Sequence, residues 1–235
     1  MLEKILEYER SLFFALNGSD SAFLDHFMWL YSGRIVWLPL AFFIIVVLVY
    51  KKDWRESVLI LLSIVLVVTL CDQFASHLMK PMFTRFRPTH HPDFMNEVQT
   101  VFNYRGGRYG FISSHAANAF GFAMYMTLLF RYRPLFGWTI FIWAAITAYT
   151  RIYLGVHFIS DIIPGAIIGV FFGYIVFVLY SKVRMKIMGR GGREVAPTSS
   201  LYSIKQERMI VIAILVTVFV IIILHAQLIK IIHQM

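Results

Sequence analysis

Residues 57–79 read SVLILLSIVLVVTLCDQFASHLM, an apolar run whose single fixed charge is Asp72. A helix crossing the hydrocarbon core of a bilayer needs about 20 mostly apolar residues, and this stretch reaches that length almost without interruption. Its reading decides the fold class. Lipid offers backbone N–H and C=O groups no partners, and an α-helix satisfies them within itself. Working outward, the same pattern recurs at 35–50, 116–130, 135–149 and 162–180, and again at 209–229 beyond a polar stretch. The expected architecture is an all-α polytopic membrane helix bundle of about six transmembrane helices.

Composition agrees. Only 15% of the 235 residues are charged and 59% are hydrophobic, whereas a soluble globule carries about 25% charged residues. The mean hydropathy of +0.69 points the same way. Soluble, disordered, collagen-like and disulfide-scaffold classes are excluded by these values. Cys71 is the single cysteine, so the chain has no internal disulfide. The net charge of +9 could serve nucleic acid or membrane loops. The Lys and Arg residues sit between apolar runs rather than in one basic patch, so the expected partner is the bilayer, with no nucleic acid.

The organisation follows from the breaks. Residues 1–33 form an amphipathic interfacial segment: Leu2, Ile5, Leu6, Leu12, Phe13 and Leu16 recur near helical spacing. Asn17-Gly18-Ser19-Asp20 then interrupts the pattern, and Asp25 and His26 punctuate the apolar stretch that follows. Two short helices lying in the interface are expected, acting as a structural collar without chemistry of its own. The acidic start, with Glu3, Glu7 and Glu9, lacks the basic start and apolar core of a signal peptide. Residues 34–181 then make a five-helix core, 182–208 a basic linker, and 209–235 a sixth helix and tail. Lys51, Lys52, Arg55, Arg131, Arg133 and the linker cations, Lys182 through Arg208, fall in alternate loops. The positive-inside rule makes those loops cytoplasmic and sends the 80–111 loop and the 149–161 connection outward, in an integral inner-membrane protein. The linker's cations also suit anionic lipid.

Three clusters on that outward side break the apolar pattern: Lys80-Pro-Met-Phe-Thr-Arg85-Phe-Arg87-Pro88, Ile112-Ser113-Ser114-His115, and the stretch from Thr150-Arg151 through His157 to Asp161. Ionisable residues at a membrane boundary need partners and are functional candidates. Fixed cations, two histidines and a carboxylate suit phosphoryl transfer, because Arg forks and a Lys point charge hold phosphate oxygens and stabilise developing charge. Backbone N–H groups near Ser113 and Ser114, where a helix begins, add donors. His157 and Asp161 are four residues apart, so on a helix the carboxylate reaches the imidazole and fixes its tautomer, leaving the other nitrogen free to attack. His115 is then available to protonate the leaving oxygen.

On these residues the chain resembles the type 2 phosphatidic acid phosphatases, which share their core with glucose-6-phosphatase and the vanadium haloperoxidases. Lys80 through Arg87-Pro88 matches the Lys-x6-Arg-Pro signature. Arg151, His157 and Asp161 match Ser-Arg-x5-His-x3-Asp, with Thr150 in place of Ser. Pro-Ser-Gly-His is altered, Ile112 and Ser114 replacing Pro and Gly while Ser113 and His115 remain. The resemblance covers about 57–180. It implies that Lys80, Arg87, Arg151, Ser113 and backbone groups near Ser114 bind phosphate. It further implies His157 as nucleophile, Asp161 as its orienting partner and His115 as general acid, with neither metal nor cofactor.

The activity expected is therefore that of a membrane lipid phosphatase working at the outer face. Candidate substrates are undecaprenyl diphosphate, phosphatidic acid, phosphatidylglycerol phosphate and a phosphate of lipid A. Arg105 and Arg108, beside Gly106 and Gly107, favour a diphosphate or multiply phosphorylated lipid. The rival is a transporter or channel for an anionic solute, in which the same cations would form a binding ring; such a carrier has no need of the His157–Asp161 pair. Asp72 and His77 are expected to meet another helix as interior polar residues, the alternative being a shell beneath Lys80. His90 and His91 are expected at the surface. Gly165, Gly169 and Gly173 recur every four residues, a spacing for close helix packing within one chain or between two. Oligomeric state is not legible.

Overall fold

The computed structural model describes residues 2–131, 133–189 and 201–234. Two amphipathic helices open the chain, α1 (Leu2–Leu16) and α2 (Ala22–Ser32). After a 3₁₀ turn follow α3 (Leu38–Val49) and α4 (Trp54–Gln73). A π-turn over Phe74–Met79 carries α4 into the short α5 (Lys80–Phe83). Then come α6 (Ser114–Leu129), α7 (Pro134–Tyr153), α8 (Ile159–Met188) and α9 (Ile204–Gln234). Among the described residues the chain is helical, with turns and one isolated antiparallel bridge between Phe86 and Tyr109.

The all-α membrane bundle is as expected, while the exact count of six spans is not confirmed. Among the described residues four helices are long and apolar enough to cross a membrane: α4 with its extension, α7, α8 and α9. A fifth arises if α2 and the 35–49 stretch, bent by 67°, form one broken span. The physical reason is length. At about 1.5 Å per residue, the 12 residues of α3 and the 16 of α6 fall short of the bilayer's hydrocarbon thickness. Instead α6 is the axis of the bundle, ten of its residues buried against its neighbours. The outer helices expose Leu62, Val65, Trp138, Ile167 and Phe219, an apolar surface suited to lipid rather than water.

Glycine sets how close α8 lies to α6. A Cβ at Gly165, Gly169 or Gly173 would stand 2.7, 2.3 or 2.4 Å from the carbonyl oxygens of Ser113, Ala117 and Gly121. The four-residue glycine repeat therefore packs within the chain.

At one end of the bundle the cationic loops are tied together. Arg184 pairs with buried Glu56 at 2.7 Å, Arg133 with Glu207 at 2.8 Å, and Lys52 donates to the Leu201 carbonyl. Helix α8 also continues to Met188, carrying Lys182, Arg184 and Lys186 on a helix where the sequence suggests a linker. The linker cations Arg190 and Arg193 lie outside the described residues. At the opposite end the collar is stitched down by buried Asn17. Its amide donates to the carbonyls of Gln99 (3.0 Å) and Tyr153 (2.9 Å) and its oxygen accepts from Gln99 N–H (2.9 Å).

Candidate active site

The three clusters converge at the collar end. The π-turn takes more residues per turn than the α-helix, closing i→i+5 hydrogen bonds, and after it Lys80 donates to Ser76 Oγ (3.1 Å) while Ser76 donates to Asp72 (3.4 Å). Asp72 thus belongs to a shell beneath Lys80 rather than to an interior pair with another helix, and His77 is exposed. Beyond Thr84, whose φ of 44° ends α5, the chain extends. Arg87 N–H donates to Arg108 O (3.0 Å) and Gly110 N–H to Arg85 O (2.9 Å). Side chains two apart on an extended strand share a face, so Arg85 and Arg87 both turn toward the start of α8. Arg87 Nε is held by Tyr109 O at 3.0 Å.

Ser113 caps α6, its hydroxyl accepting from Ala116 N–H (3.4 Å), and its own N–H donates to Asp161 O (3.0 Å), which joins the starts of α6 and α8. Ser114 Oγ lies 3.5 Å from Lys80 Nζ. His115, on the first turn of α6, is half-buried and lines a cleft of about 220 Å³ with Arg151, Tyr104, Ser32 and Arg34.

The third cluster turns sharply. Val156 N–H (3.0 Å) and His157 N–H (3.2 Å) both donate to Arg151 O, which requires φ +76° at Gly155, where a side chain would also strike Val98. Arg151 and His157 are thereby brought together. His157 Nδ1 lies 3.3 Å from Asp161 Oδ2, which also accepts Phe158 N–H at 3.0 Å. Both His157 and Asp161 are buried. Burial, and then the nearby cations Arg87, Arg151, Lys80 and Arg85, hold the His157 imidazole well below its ordinary titration range. That direction favours the neutral imidazole, and the contact with Asp161 favours the tautomer that donates Nδ1–H to the carboxylate and leaves the Nε2 lone pair free.

Burial first, and the Arg151 guanidinium second, pull Arg87 below the usual arginine range. Such like-charge repulsion is relieved by an anion. Arg151 binds Tyr104 Oη (3.1 Å) and Ser32, but its buried Nε has no acceptor among the described residues. Three cations facing a neutral imidazole, with a second imidazole nearby, make a place for a tetrahedral phosphate.

Lys80, Arg87, Arg151, Ser113, Ser114, His115, His157 and Asp161 thus gather at one end of the bundle. Arg105 and Arg108 stand exposed on the adjoining loop, Arg108 lying 5.0 Å over the Phe86 ring. His90 and His91 are partly exposed, His91 stacking on Phe94. Sequence reasoning assigned no part to Tyr104, Arg34, Gly110 or Glu9. A Cβ at Gly110 would lie 3.0 Å from Asp161 Oδ2, so this glycine allows the loop to close on the dyad. Arg85, inside the first signature, carried a signal in its two-residue spacing from Arg87.

Fold and site define an integral membrane phosphatase. The comparisons with known proteins agree and narrow the class: the chain belongs to the PAP2 superfamily, whose family model matches residues 57–185. It is 39% identical over 232 residues to a lipid A 4′-phosphatase of Porphyromonas gingivalis, covering 99% of this chain and 97% of that one. A lipid A 4′-phosphatase of Bacteroides thetaiotaomicron is 34% identical over 190 residues, 80% of this chain and 83% of that one. Among solved structures, Aquifex aeolicus LpxE superposes with a TM-score of 0.51 at 27% identity, covering 72% of this chain and 93% of that one. The PAP2-type phosphatidylglycerolphosphate phosphatase of Bacillus subtilis shares the fold, with a TM-score of 0.56 at 21% identity over 77% and 88% of the two chains. The protein is a membrane lipid phosphatase, and the transporter reading falls away.

Proposed function

We propose that this chain hydrolyses the 4′-phosphate of lipid A at the outer face of the inner membrane, through a phosphohistidine on His157. The observation that carries the mechanism is the buried His157–Asp161 pair facing Lys80, Arg87 and Arg151. The choice among lipid phosphates rests on the full-length similarity to lipid A 4′-phosphatases. Exposed Arg105 and Arg108 fit it, since a bis-phosphorylated lipid brings a second anion to the rim.

Lys80, Arg87 and Arg151 bind the phosphate oxygens, with Arg151 Nε gaining the acceptor it lacks. The Ser113 hydroxyl hydrogen and the first backbone N–H groups of α6, near Ser114, assist. Burial, then Arg151 and His157, hold the His115 imidazole below its ordinary range; the negative charge of the bound phosphate offsets those cations, so that His115 takes up a proton with the substrate. His157 Nε2 attacks phosphorus, and the P–O bond to the sugar breaks as the protonated His115 gives that proton to the departing oxygen. Asp161 stabilises the positive charge that forms on His157. Water then attacks phosphorus, His115 takes its proton, the P–N bond breaks and inorganic phosphate leaves. Cations perform the duty that metal ions perform elsewhere. A donor set of one amine and two guanidiniums repels a divalent ion, so no metal is assigned.

Sidedness follows from charge. The tied loops with Lys52, Arg133 and Arg184 lie at the end opposite His157, and the positive-inside bias puts that end in the cytoplasm.

The purified protein, presented with lipid A, phosphatidic acid, phosphatidylglycerol phosphate and undecaprenyl diphosphate in micelles, tests the substrate. Lipid A should lose one phosphate, assigned to the 4′ position by fragment mass spectrometry, fastest of the four. Faster release from another lipid would overturn the substrate. Cysteine placed at exposed Gly107, where a Cβ meets none of the described residues within 4 Å, in a Cys71-free background should react with an impermeant reagent on spheroplasts. Cysteine at Lys51 should react only after lysis, and the reverse pattern would move the reaction to the inner leaflet.

A further inference from the structure

The collar reaches the reaction centre. Glu9 of α1 lies 2.7 Å from Arg85 through Oε2. Its other oxygen accepts the Ser160 N–H (3.2 Å) and the Ser160 hydroxyl. Arg85 uses the nitrogen that Glu9 does not occupy to donate to Asp161 Oδ1 at 2.9 Å and to Ser160. Asp161 therefore receives Arg85 on one oxygen and His157 on the other. The carboxylate is fully buried, Glu9 is largely so, and Arg85 stacks over the Phe158 ring at 4.6 Å. Helix α1 is itself held where this requires, Phe13 packing edge-on against Phe158 at 5.4 Å.

We infer that Arg85, clamped by Glu9, is a positioning residue for the phosphatase reaction, fixing Asp161 and through it the direction in which His157 Nε2 points. This rests on the reading of His157 as nucleophile. A carboxylate pivoting about its side chain can turn its plane away from Nδ1; a second charge-assisted bond on the other oxygen removes that freedom. Both terminal nitrogens of Arg85 are taken by protein acceptors, which separates it from the phosphate-binding cations although it stands in the same signature. It also gives α1 a part in catalysis that its amphipathic pattern does not disclose, since Glu9 lies about 75 residues from Arg85 and about 150 from Asp161 in sequence.

The test uses the full chain in detergent micelles with lipid A and with phosphatidic acid, comparing Arg85→Met, Arg85→Lys, Glu9→Gln and the double Glu9→Gln/Arg85→Met variant, each checked for an unchanged melting midpoint. Arg85→Met should lower kcat by about 10- to 100-fold, with KM within about threefold, as expected for a misdirected reacting group. Arg85→Lys should recover part of that loss. Glu9→Gln should be milder, and the double variant no worse than Arg85→Met alone, because the two act in series. A readout independent of turnover is the His157 tautomer in ¹⁵N-histidine spectra: Nδ1–H in the parent, mixed in Arg85→Met. A raised KM with parental kcat would make Arg85 a substrate ligand and overturn the inference, as would parental kcat with an unchanged tautomer. Additive losses in the double variant would break the link to Glu9. His157→Ala, run in parallel, separates the two readings: turnover in that variant removes the nucleophile, whereas an inactive His157→Ala beside a fully active Arg85→Met removes only the positioning role.

Discussion

Gly169→Ala is a sharp test of how the bundle holds its site. The added methyl would stand 2.3 Å from Ala117 O, 3.0 Å from Ala117 C and 2.9 Å from Gly121 N, where ordinary contact begins at 3.4 Å. All three are backbone atoms and cannot rotate aside, so α8 must withdraw from α6 by about 1 Å, at a cost of about 1–3 kcal/mol for overpacking. Alanine recovers about 1 kcal/mol through helix propensity. The clash therefore wins by up to about 2 kcal/mol, and the melting midpoint should fall by several degrees, at ~2–4 °C per kcal/mol for a chain of this size. The displacement also propagates to the reacting groups. Ser113 on the N-terminal edge of α6 and Asp161 on α8 are joined by one 3.0 Å hydrogen bond, and a misplacement of about 1 Å can cost about 100-fold in rate. Phosphate release and thermal melting in the same micelles measure both effects. Gly137→Ala is the control: among the described residues its methyl meets only Thr127 Cγ2 at 3.5 Å, an ordinary contact, so the propensity gain stands alone and the variant should match or exceed the parent. A Gly169→Ala protein with parental melting and kcat, or a Gly137→Ala protein equally damaged, would refute this account of the seam.

His157→Ala should abolish phosphate release while the protein still elutes as a folded species, and ³²P from labelled lipid should no longer be trapped on the chain. Asp161→Asn should lower kcat by about 10²- to 10⁴-fold through loss of tautomer control; a parental rate would remove its orienting role. Because burial and the neighbouring cations disfavour the imidazolium, His157 should remain neutral as pH falls through the ordinary histidine range near 6.5. Its ¹⁵N signal, assigned with His157→Ala, should show no titration there, and a midpoint near 6.5 would contradict the burial. Excess chelator should leave activity intact, while vanadate should inhibit by taking the five-coordinate geometry against Nε2; rescue of a chelated enzyme by Mg²⁺ would reject the metal-free assignment.

Hydropathy alone determined that this chain lives in a membrane, because 57–79 has no soluble solution for its apolar surface. Local spacing was sufficient to pair His157 with Asp161, though not through the helical turn it suggested: His157 lies ahead of α8 beyond the extended Phe158, and Asp161, in the first turn, reaches back to both. Spacing also marked the glycine repeat on α8, though not the helix it packs against. Apolar pattern alone does not decide whether α3 and α6 are spans. Apolar character identifies what avoids water, but it does not distinguish lipid from protein as the surroundings, and α6 is apolar because it is wrapped by other helices. Asp72 was misjudged for a related reason: its link to Lys80 runs through Ser76 and the π-turn, whose pitch is not written in an apolar pattern. Only the tertiary structure could bring Glu9 and Arg85 to Asp161, Tyr104 and Ser32 to Arg151, and Gly110 against the dyad. Those contacts join residues tens to more than a hundred positions apart, and they depend on how the collar and the 84–113 loop close over the ends of α6, α7 and α8.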